Sequence, residues 1–278
     1  MQVGKRGHEY GGRILRIGNK EFSGRTHIMG ILNVTDDSFS DGGKYNEIDA
    51  AVRRAEKMIA DGADVIDIGG ESTRPGYTMI SDNEEIERVT PVIEKIKNNF
   101  DIPVSIDTYK SAVCRAAAEA GADMINDIWG FKYDDNMAKT AAKFHMSACL
   151  MHNRKEAVYT DFVNDVIADL TESVKIAKAA GITEIITDPG VGFAKTYEQN
   201  IEIMRHIGEL NKIGCPVLLG ASKKSVIGIT LGADIDDRAE GTLATSVWAA
   251  INNCLFVRVH DVKENKRAIT MAERIMGK

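Results

Sequence analysis

A chain of 278 residues, 44% of them hydrophobic, has ample material for the core of one large domain or two small ones. Its net charge of -6 argues against a general nucleic-acid binder, and a 27% share of charged residues is ordinary for a globular protein. No apolar run reaches the length of a membrane span and residues 1–12 hold no apolar export segment, so a cytoplasmic protein is expected.

Residues 1–12 are polar and Gly-rich and read as a loose N-terminus. Residues 13–17 and 21–23, either side of Gly18-Asn19-Lys20, predict a hairpin that could plug the bottom of a larger fold. Residues 28–32 read as a buried strand that empties at Asn33 into a polar, Gly-rich loop. Ile48, Ala51, Val52, Ala55, Met58 and Ile59 then fall on one helical face, which Gly62 is placed to stop. A second strand, 64–70, leads through a loop, 71–81, to a helix over 84–98. Further strands are predicted at 104–107, 124–129, 147–151, 184–188, 216–220 and 255–259, and further helices at 110–120, 162–180 and 268–276. Gly62-Ala63-Asp64, Gly121-Ala122-Asp123 and Gly181-Ile182-Thr183 mark a faint repeat: helix stop, short turn, apolar strand, polar tip. Eight such strands alternating with helices predict an α/β fold, a single (β/α)8 barrel over residues 1–278 with a short N-terminal hairpin. A doubly wound open sheet competes less well, because no G-x-G-x-x-G follows the first strand. Cys114, Cys149, Cys215 and Cys254 are scattered and form no C-x-x-C pair, which points to buried free thiols and a reducing compartment.

In such a barrel the C-terminal ends of the strands face one mouth, where the active site lies. Asn33, Asp67, Asp107, Asn126, His152, Asp188, Ser222, Arg258 and His260 sit at those ends. Any one of them could be a cap, but their convergence on one mouth is harder to explain that way. Asp107, Asn126 and Asp188 suit a flat heterocycle rich in N–H donors, which would offset the cost of half-buried carboxylates. Arg74, Arg258 and His260, with Lys223 and Lys224 nearby, match the place where barrels hold phosphate. Ser222 could cap a helix and leave the amides of the Lys223-Lys224-Ser225 turn for an anion.

These stretches resemble the dihydropteroate synthase family over nearly the whole chain. The matching motifs are Asn33-Val34-Thr35-x-Asp37-Ser38-Phe39-Ser40-Asp41-Gly42-Gly43, Asp67-Ile68-Gly69-Gly70-Glu71-Ser72-Thr73-Arg74-Pro75-Gly76, Ser105-Ile106-Asp107-Thr108, Asn126-Asp127, Asp188-Pro189-Gly190-x-Gly192-Phe193 and Arg258-x-His260-Asp261-Val262. Two positions depart from the family pattern: Asp36 stands where Pro is usual, and Lys223 where Arg is usual. The resemblance implies condensation of 6-hydroxymethyl-7,8-dihydropterin diphosphate with p-aminobenzoate, releasing diphosphate. It implies that Asp107, Asn126, Asp188, Lys224 and Phe193 hold the pterin, with Asp107 and Lys224 catalytic. By the same resemblance Asn33, Thr73, Arg74, Arg258 and His260 gather the diphosphate, with Mg²⁺ at Asn33. Phe39, Pro75, Phe193 and Ser225 would then receive p-aminobenzoate, and a homodimer is expected.

Two rival readings share the barrel. A pterin-dependent corrinoid methyltransferase would keep the Asp and Asn floor but would not need the diphosphate cluster of Arg74, Arg258 and His260. A non-catalytic pterin-binding paralogue would not need the intact loop signatures or Lys224. The loops at 34–44 and 71–81 are long for a barrel of this size and are expected to order over bound diphosphate.

Overall fold

Leu15–Ile17 (β1) and Lys20–Phe22 (β2) pair antiparallel as the expected hairpin, with Leu15 opposite Phe22 and Gly18 at φ +57 in the turn. The computed structural model of the chain describes residues 14–34, 43–71 and 79–278. From the hairpin onward strands and helices alternate: His27–Asn33 (β3), Gly43–Ala60 (α1), Val65–Gly69 (β4), Asp82–Asn99 (α2), Val104–Asp107 (β5), Ser111–Glu119 (α3), Met124–Asp127 (β6), Met137–Lys143 (α4) and Ser147–Met151 (β7). Phe162–Ala179 (α5), Ile185–Asp188 (β8), Tyr197–Arg205 (α6), Leu218–Leu219 (β9), Ser225–Leu231 (α7), Ala239–Ile251 (α8), Phe256–Val259 (β10) and Val262–Ile275 (α9) complete the series. The eight strands β3 to β10 are parallel and run in the order β8-β7-β6-β5-β4-β3-β10-β9. A parallel bridge between Thr187 and Val217 joins the two edge strands, so the sheet curls into the expected (β/α)8 barrel.

The period of two along each strand sorts its side chains. Ile28, Leu32, Ile66, Ile68, Val104, Ile106, Ala148 and Leu150 pack outward against the helices. Met29, Val65, Met124, Cys149, Ile186, Leu218 and Phe256 point inward and meet Leu15, Ile17 and Phe22 of the hairpin. The hairpin therefore plugs the floor of the barrel with apolar side chains, and the polar inward positions are left at the other end. All four cysteines are buried and free. Gly62, Gly121 and Gly181 take φ values of +103, +106 and +98, a left-handed backbone that a Cβ would strain, so each helix stops where the repeat placed it.

Most element ends shift by a residue or two, and three differences matter more. The closing helix begins at Val262, because its buried face of Val262, Asn265 and Ile269 is hidden in sequence among Lys, Glu and Arg. The first helix begins at Gly43, inside the expected loop. β9 shrinks to two residues. Residues 35–42 and 72–78, on which the expectation of ordering loops falls, lie outside the described residues.

The base of the second of those loops is held by charge. Lys110 Nζ lies 2.7 Å from Glu71 Oε2, 2.8 Å from Glu85 Oε2 and 2.9 Å from the Ile80 carbonyl. Tyr109 donates its hydroxyl to Glu71 Oε1 at 2.6 Å, and Ile80 N donates to Glu71 Oε2 at 3.0 Å. Burial pushes the Glu85 carboxyl above its ordinary range, with Lys110 opposing. Lys110→Met would leave two buried carboxylates without a cation and should lower stability by about 3–5 kcal/mol. Urea unfolding of the variant checks this; a loss under about 1 kcal/mol would contradict it.

Candidate active site

Two residues beyond the apolar inner layer, the same inward positions turn polar. Asp67 follows Val65 on β4, Asn126 follows Met124 on β6, Asp188 follows Ile186 on β8 and Arg258 follows Phe256 on β10. Asp107 ends β5 on the same side. These side chains meet across the barrel. Arg258 Nε lies 2.5 Å from Asp67 Oδ2, Arg258 Nη2 lies 2.5 Å from Asp107 Oδ2, and Asn126 Nδ2 donates to Asp67 Oδ2 at 3.1 Å. Asp67 Oδ1 and Asp107 Oδ1 are buried and have no hydrogen-bond partner among the described residues. An unpaired buried carboxylate oxygen is costly, so this floor is built to receive a donor.

The electrostatics follow from burial. Desolvation raises Asp107 to about 7, against the pull of Arg258 and with the help of Asp67. Asp188 is raised for the same reason, with Lys224 opposing. Burial works against the charge on Arg258, but Asp67 and Asp107 outweigh it and hold the guanidinium's proton more tightly than usual. Lys224 is lowered to about 8 by burial, with Asp188 resisting.

The loop after β8 forms one wall. Gly190 N donates to Asp188 Oδ1 at 2.7 Å. Lys224 donates its ammonium to the Val191 carbonyl and lies 4.8 Å from the centre of the Phe193 ring. Gly192, at φ +86, leaves room for the Lys224 stem, since a Cβ there would stand 3.2 Å from Lys224 Cδ. Tyr109, Ile128 and Met151 pack together with Trp129 and Phe193 as the apolar side of the mouth. At Gly220, the inward position of the chain just after β9, a Cβ would press to 3.2 Å from Asp188 Oδ2. A Cβ on Gly69 would lie 3.7 Å from Asn33 Oδ1 and from Asp107 Cβ, which places Asn33 on the inner rim beside Asp107.

The residues expected around the phosphate divide. Arg258 faces the mouth, and neither carboxylate uses its Nη1. His260 also lies there, but burial, Arg258 and Lys223 lower it to about 4, so it is a neutral imidazole and not a cation. Ser222 is not a helix cap: its hydroxyl lies 2.9 Å from His260 Nδ1, and Lys224 is the residue that precedes α7. Two of the three amides expected to be open to an anion are in use, Lys223 N by Thr242 Oγ1 at 3.1 Å and Lys224 N by the Ala221 carbonyl at 3.2 Å. Lys223 itself takes φ +57 and pairs with Asp261 at 3.0 Å, so the departure from Arg falls on a residue tied down at the barrel rim. Ser225 is exposed at the start of α7. Phe39, Thr73, Arg74 and Pro75 lie outside the described residues.

Two groups lacked a role in the sequence reading. Asp67 stood among the strand ends without a part in binding, yet it is the shared acceptor of Arg258 and Asn126, a role that shows only once the strands are side by side. Lys195 had no strand-end signal at all, yet its Nζ sits 2.8 Å from His152 Nδ1. Burial lowers the Lys195 ammonium to about 7, with Asp188 resisting. Asp127, beside Asn126 in sequence, faces the other way and accepts from Trp129 N at 2.7 Å and Phe131 N at 3.0 Å.

The chain resembles known proteins over nearly its whole length. Residues 29–260 match the family model described as pterin binding enzyme. The chain is 55% identical to the dihydropteroate synthase of Clostridium beijerinckii over 94% of its length and 99% of the relative's. It superposes on a dihydropteroate synthase of Clostridium difficile, solved in the presence of pteroic acid, with a TM-score of 0.90 and 47% identity, covering 92% of this chain and 99% of that one. A Xanthomonas albilineans dihydropteroate synthase solved with 4-aminobenzoic acid superposes with a TM-score of 0.90 at 38% identity, covering 95% of this chain and 98% of that one.

Proposed function

Because the chain belongs to the dihydropteroate synthase family, we propose that its barrel mouth joins 6-hydroxymethyl-7,8-dihydropterin diphosphate to p-aminobenzoate with the residues just described. The observation that carries this assignment is the polar floor of Asp107, Asn126 and Asp188 beside Lys224, with Asp107 Oδ1 lacking a donor. The N–H edge of a dihydropterin supplies such donors, and Lys224 is the cation for its carbonyl. Phe193, Met151 and Ile128 offer apolar contact to the flat ring.

The reaction then needs no protein nucleophile. The C–O bond to the diphosphate breaks, and both electrons leave with the oxygen. The methylene cation left on the pterin is delocalised into the ring, and the ionised Asp107 offsets its charge. The aniline nitrogen of p-aminobenzoate attacks that carbon and afterwards loses a proton. Arg258 Nη1 and the neutral His260 are the described donors for the departing diphosphate, joined in this reading by Asn33, Thr73 and Arg74. Phe39, Pro75, Phe193 and Ser225 are assigned to p-aminobenzoate.

Among the described residues no cluster of three His, Cys, Asp or Glu side chains could hold a metal unaided. That suits Mg²⁺, which keeps several waters and is bound mostly by substrate phosphates with one or two protein oxygens. The amide oxygen of Asn33 at the rim is such an oxygen. When bound, the ion would neutralise charge on the diphosphate leaving group.

Diphosphate release tests the reading. With both substrates, diphosphate and dihydropteroate should appear one for one. Without p-aminobenzoate, slower release with water as the trap is expected, and its complete absence would contradict cleavage before attack. Asp107 must be ionised to act, and in the free protein it holds its proton to about 7. So kcat/KM for the pterin substrate should climb about tenfold per unit between about pH 5 and pH 7. A flat profile there would remove Asp107 from this role.

A second copy of this chain is the partner assigned to the apolar stripes of α8 and α9. Ile251 is 48% exposed, Met271 61% and Ile275 74%, with Trp248 beside them at 39%. Sedimentation should give a dimer, and Ile251→Glu with Ile275→Glu should shift it to monomer; a monomeric parent protein would contradict it. The four buried free thiols suit the reducing cytoplasm.

A further inference from the structure

Lys195 has no part in the chemistry above, yet its ammonium is fully engaged beside the mouth. Its Nζ lies 2.8 Å from His152 Nδ1, 3.0 Å from the Gly190 carbonyl and 3.0 Å from the Phe193 carbonyl. An ammonium has three N–H groups and no acceptor, so three acceptors saturate it. The His152 side chain is fully buried, and its Nε2 lies 3.1 Å from Asp169 Oδ2 on α5. That carboxylate draws the imidazole N–H to Nε2 and leaves the Nδ1 lone pair facing Lys195. Arg154 Nε, 2.6 Å from the same oxygen, holds Asp169 in place.

The two carbonyls that Lys195 takes bracket one turn. Phe193 N donates to Gly190 O at 3.1 Å and closes it. A Cβ on Gly190 would stand 1.9 Å from the His152 carbonyl, so the turn sits directly on the end of β7. Its Gly190 amide holds Asp188, its Val191 carbonyl holds Lys224, and its Phe193 ring lies beside the Lys224 ammonium. Every pterin contact assigned to this side of the mouth therefore hangs on that turn.

We propose that Lys195, oriented by His152 and Asp169, is a positioning residue for the dihydropterin: it fixes the Gly190–Phe193 turn so that Asp188, Lys224 and Phe193 stand ready before the substrate arrives. This rests on the assignment of those three residues to the pterin. Removing the ammonium leaves the Phe193 carbonyl and a buried imidazole lone pair without that donor and the Gly190 carbonyl with only Phe193 N, and the turn relaxes away from its seat. Lys195 touches neither the bond that breaks nor the benzoate, and of the three groups it positions only Phe193 is shared with p-aminobenzoate, so the effect falls mainly on pterin affinity.

The test uses the full-length protein at about pH 6.5, where most Lys195 is an ammonium, with Lys195→Met, Asp169→Asn, Phe193→Ala and Lys224→Met. Calorimetry with 6-hydroxymethylpterin should show Lys195→Met binding roughly tenfold weaker and Asp169→Asn roughly threefold weaker. KM for the pterin diphosphate should rise in step, with kcat within about threefold of the parent and a smaller rise in the KM for p-aminobenzoate, which shares only the Phe193 ring of this turn. Lys195→Met should cost less in a Phe193→Ala background than in the parent, because the ring's share of the turn's contribution is already lost. The proposal is overturned if pterin affinity is unchanged in Lys195→Met while Phe193→Ala or Lys224→Met weakens it. It is equally overturned if kcat falls and both KM values rise by similar factors, as a general disruption of the mouth would produce. Should Lys195→Met fail to fold, unchanged affinity in Asp169→Asn overturns it. If Phe193→Ala and Lys224→Met also leave pterin binding untouched, the assignment of the pterin site fails, a distinguishable result.

Discussion

Asp107→Asn should leave the barrel folded and lower turnover by about 10²–10³-fold, as loss of one group that stabilises transition-state charge does. The amide keeps the size and the inward direction of the side chain. What it removes is the negative charge that the proposed mechanism sets against the pterin cation. Folding has little to lose, because ionising this carboxyl already costs desolvation, which is why burial raises it to about 7. Arg258 would keep Asp67 at 2.5 Å as its counter-ion, so no uncompensated cation is left behind. Stopped-flow or steady-state diphosphate release checks the rate, and thermal melts check the fold. Near-normal turnover in a folded variant would take the role from Asp107.

Arg258→Ala should weaken the pterin diphosphate by about 10–100-fold and p-aminobenzoate by less than about threefold. A charged hydrogen bond is worth roughly 1.5–3 kcal/mol, which sets that range. The variant also leaves Asp67 and Asp107 facing each other without a cation, since Arg258 now holds both at 2.5 Å. Removing one partner of a buried pair costs about 3–5 kcal/mol, so a lower melting temperature should accompany the loss of affinity. Arg258→Lys should recover only part, because an ammonium cannot span two carboxylates with the fork of a guanidinium. Calorimetry with each substrate separates the effects, and an equal loss for both would contradict the assignment to the diphosphate.

The fold was legible because its signals are local. An apolar strand of four or five residues, a polar tip and a glycine stop recur every unit, and each can be read inside a short window. Gly62, Gly121 and Gly181 stop their helices for a backbone reason that needs no distant partner. The same locality placed Asp107, Asn126, Asp188 and Arg258 at strand ends, and the shared right-handed β-α unit turned those ends toward one mouth. Helices α4, α6 and α8 went unremarked because they are short or small-residue segments, shaped more by what they pack against than by their own periodicity.

Closure of the barrel decided the rest. Arg258 reaches Asp67 across 191 positions of chain, a distance over which no sequence pattern pairs a charge with its partner. Ser222 looked like a cap from its neighbours, but the return of β10 beside β9 brings His260 to it, so its oxygen accepts from His260 N while its hydroxyl faces His260 Nδ1. Lys195 sits between its carbonyls and His152 only because β7 and β8 are adjacent. Protonation states belong to the same class: the neutral His260 and the raised Asp107 follow from desolvation and from charges brought close in space, and sequence spacing records neither.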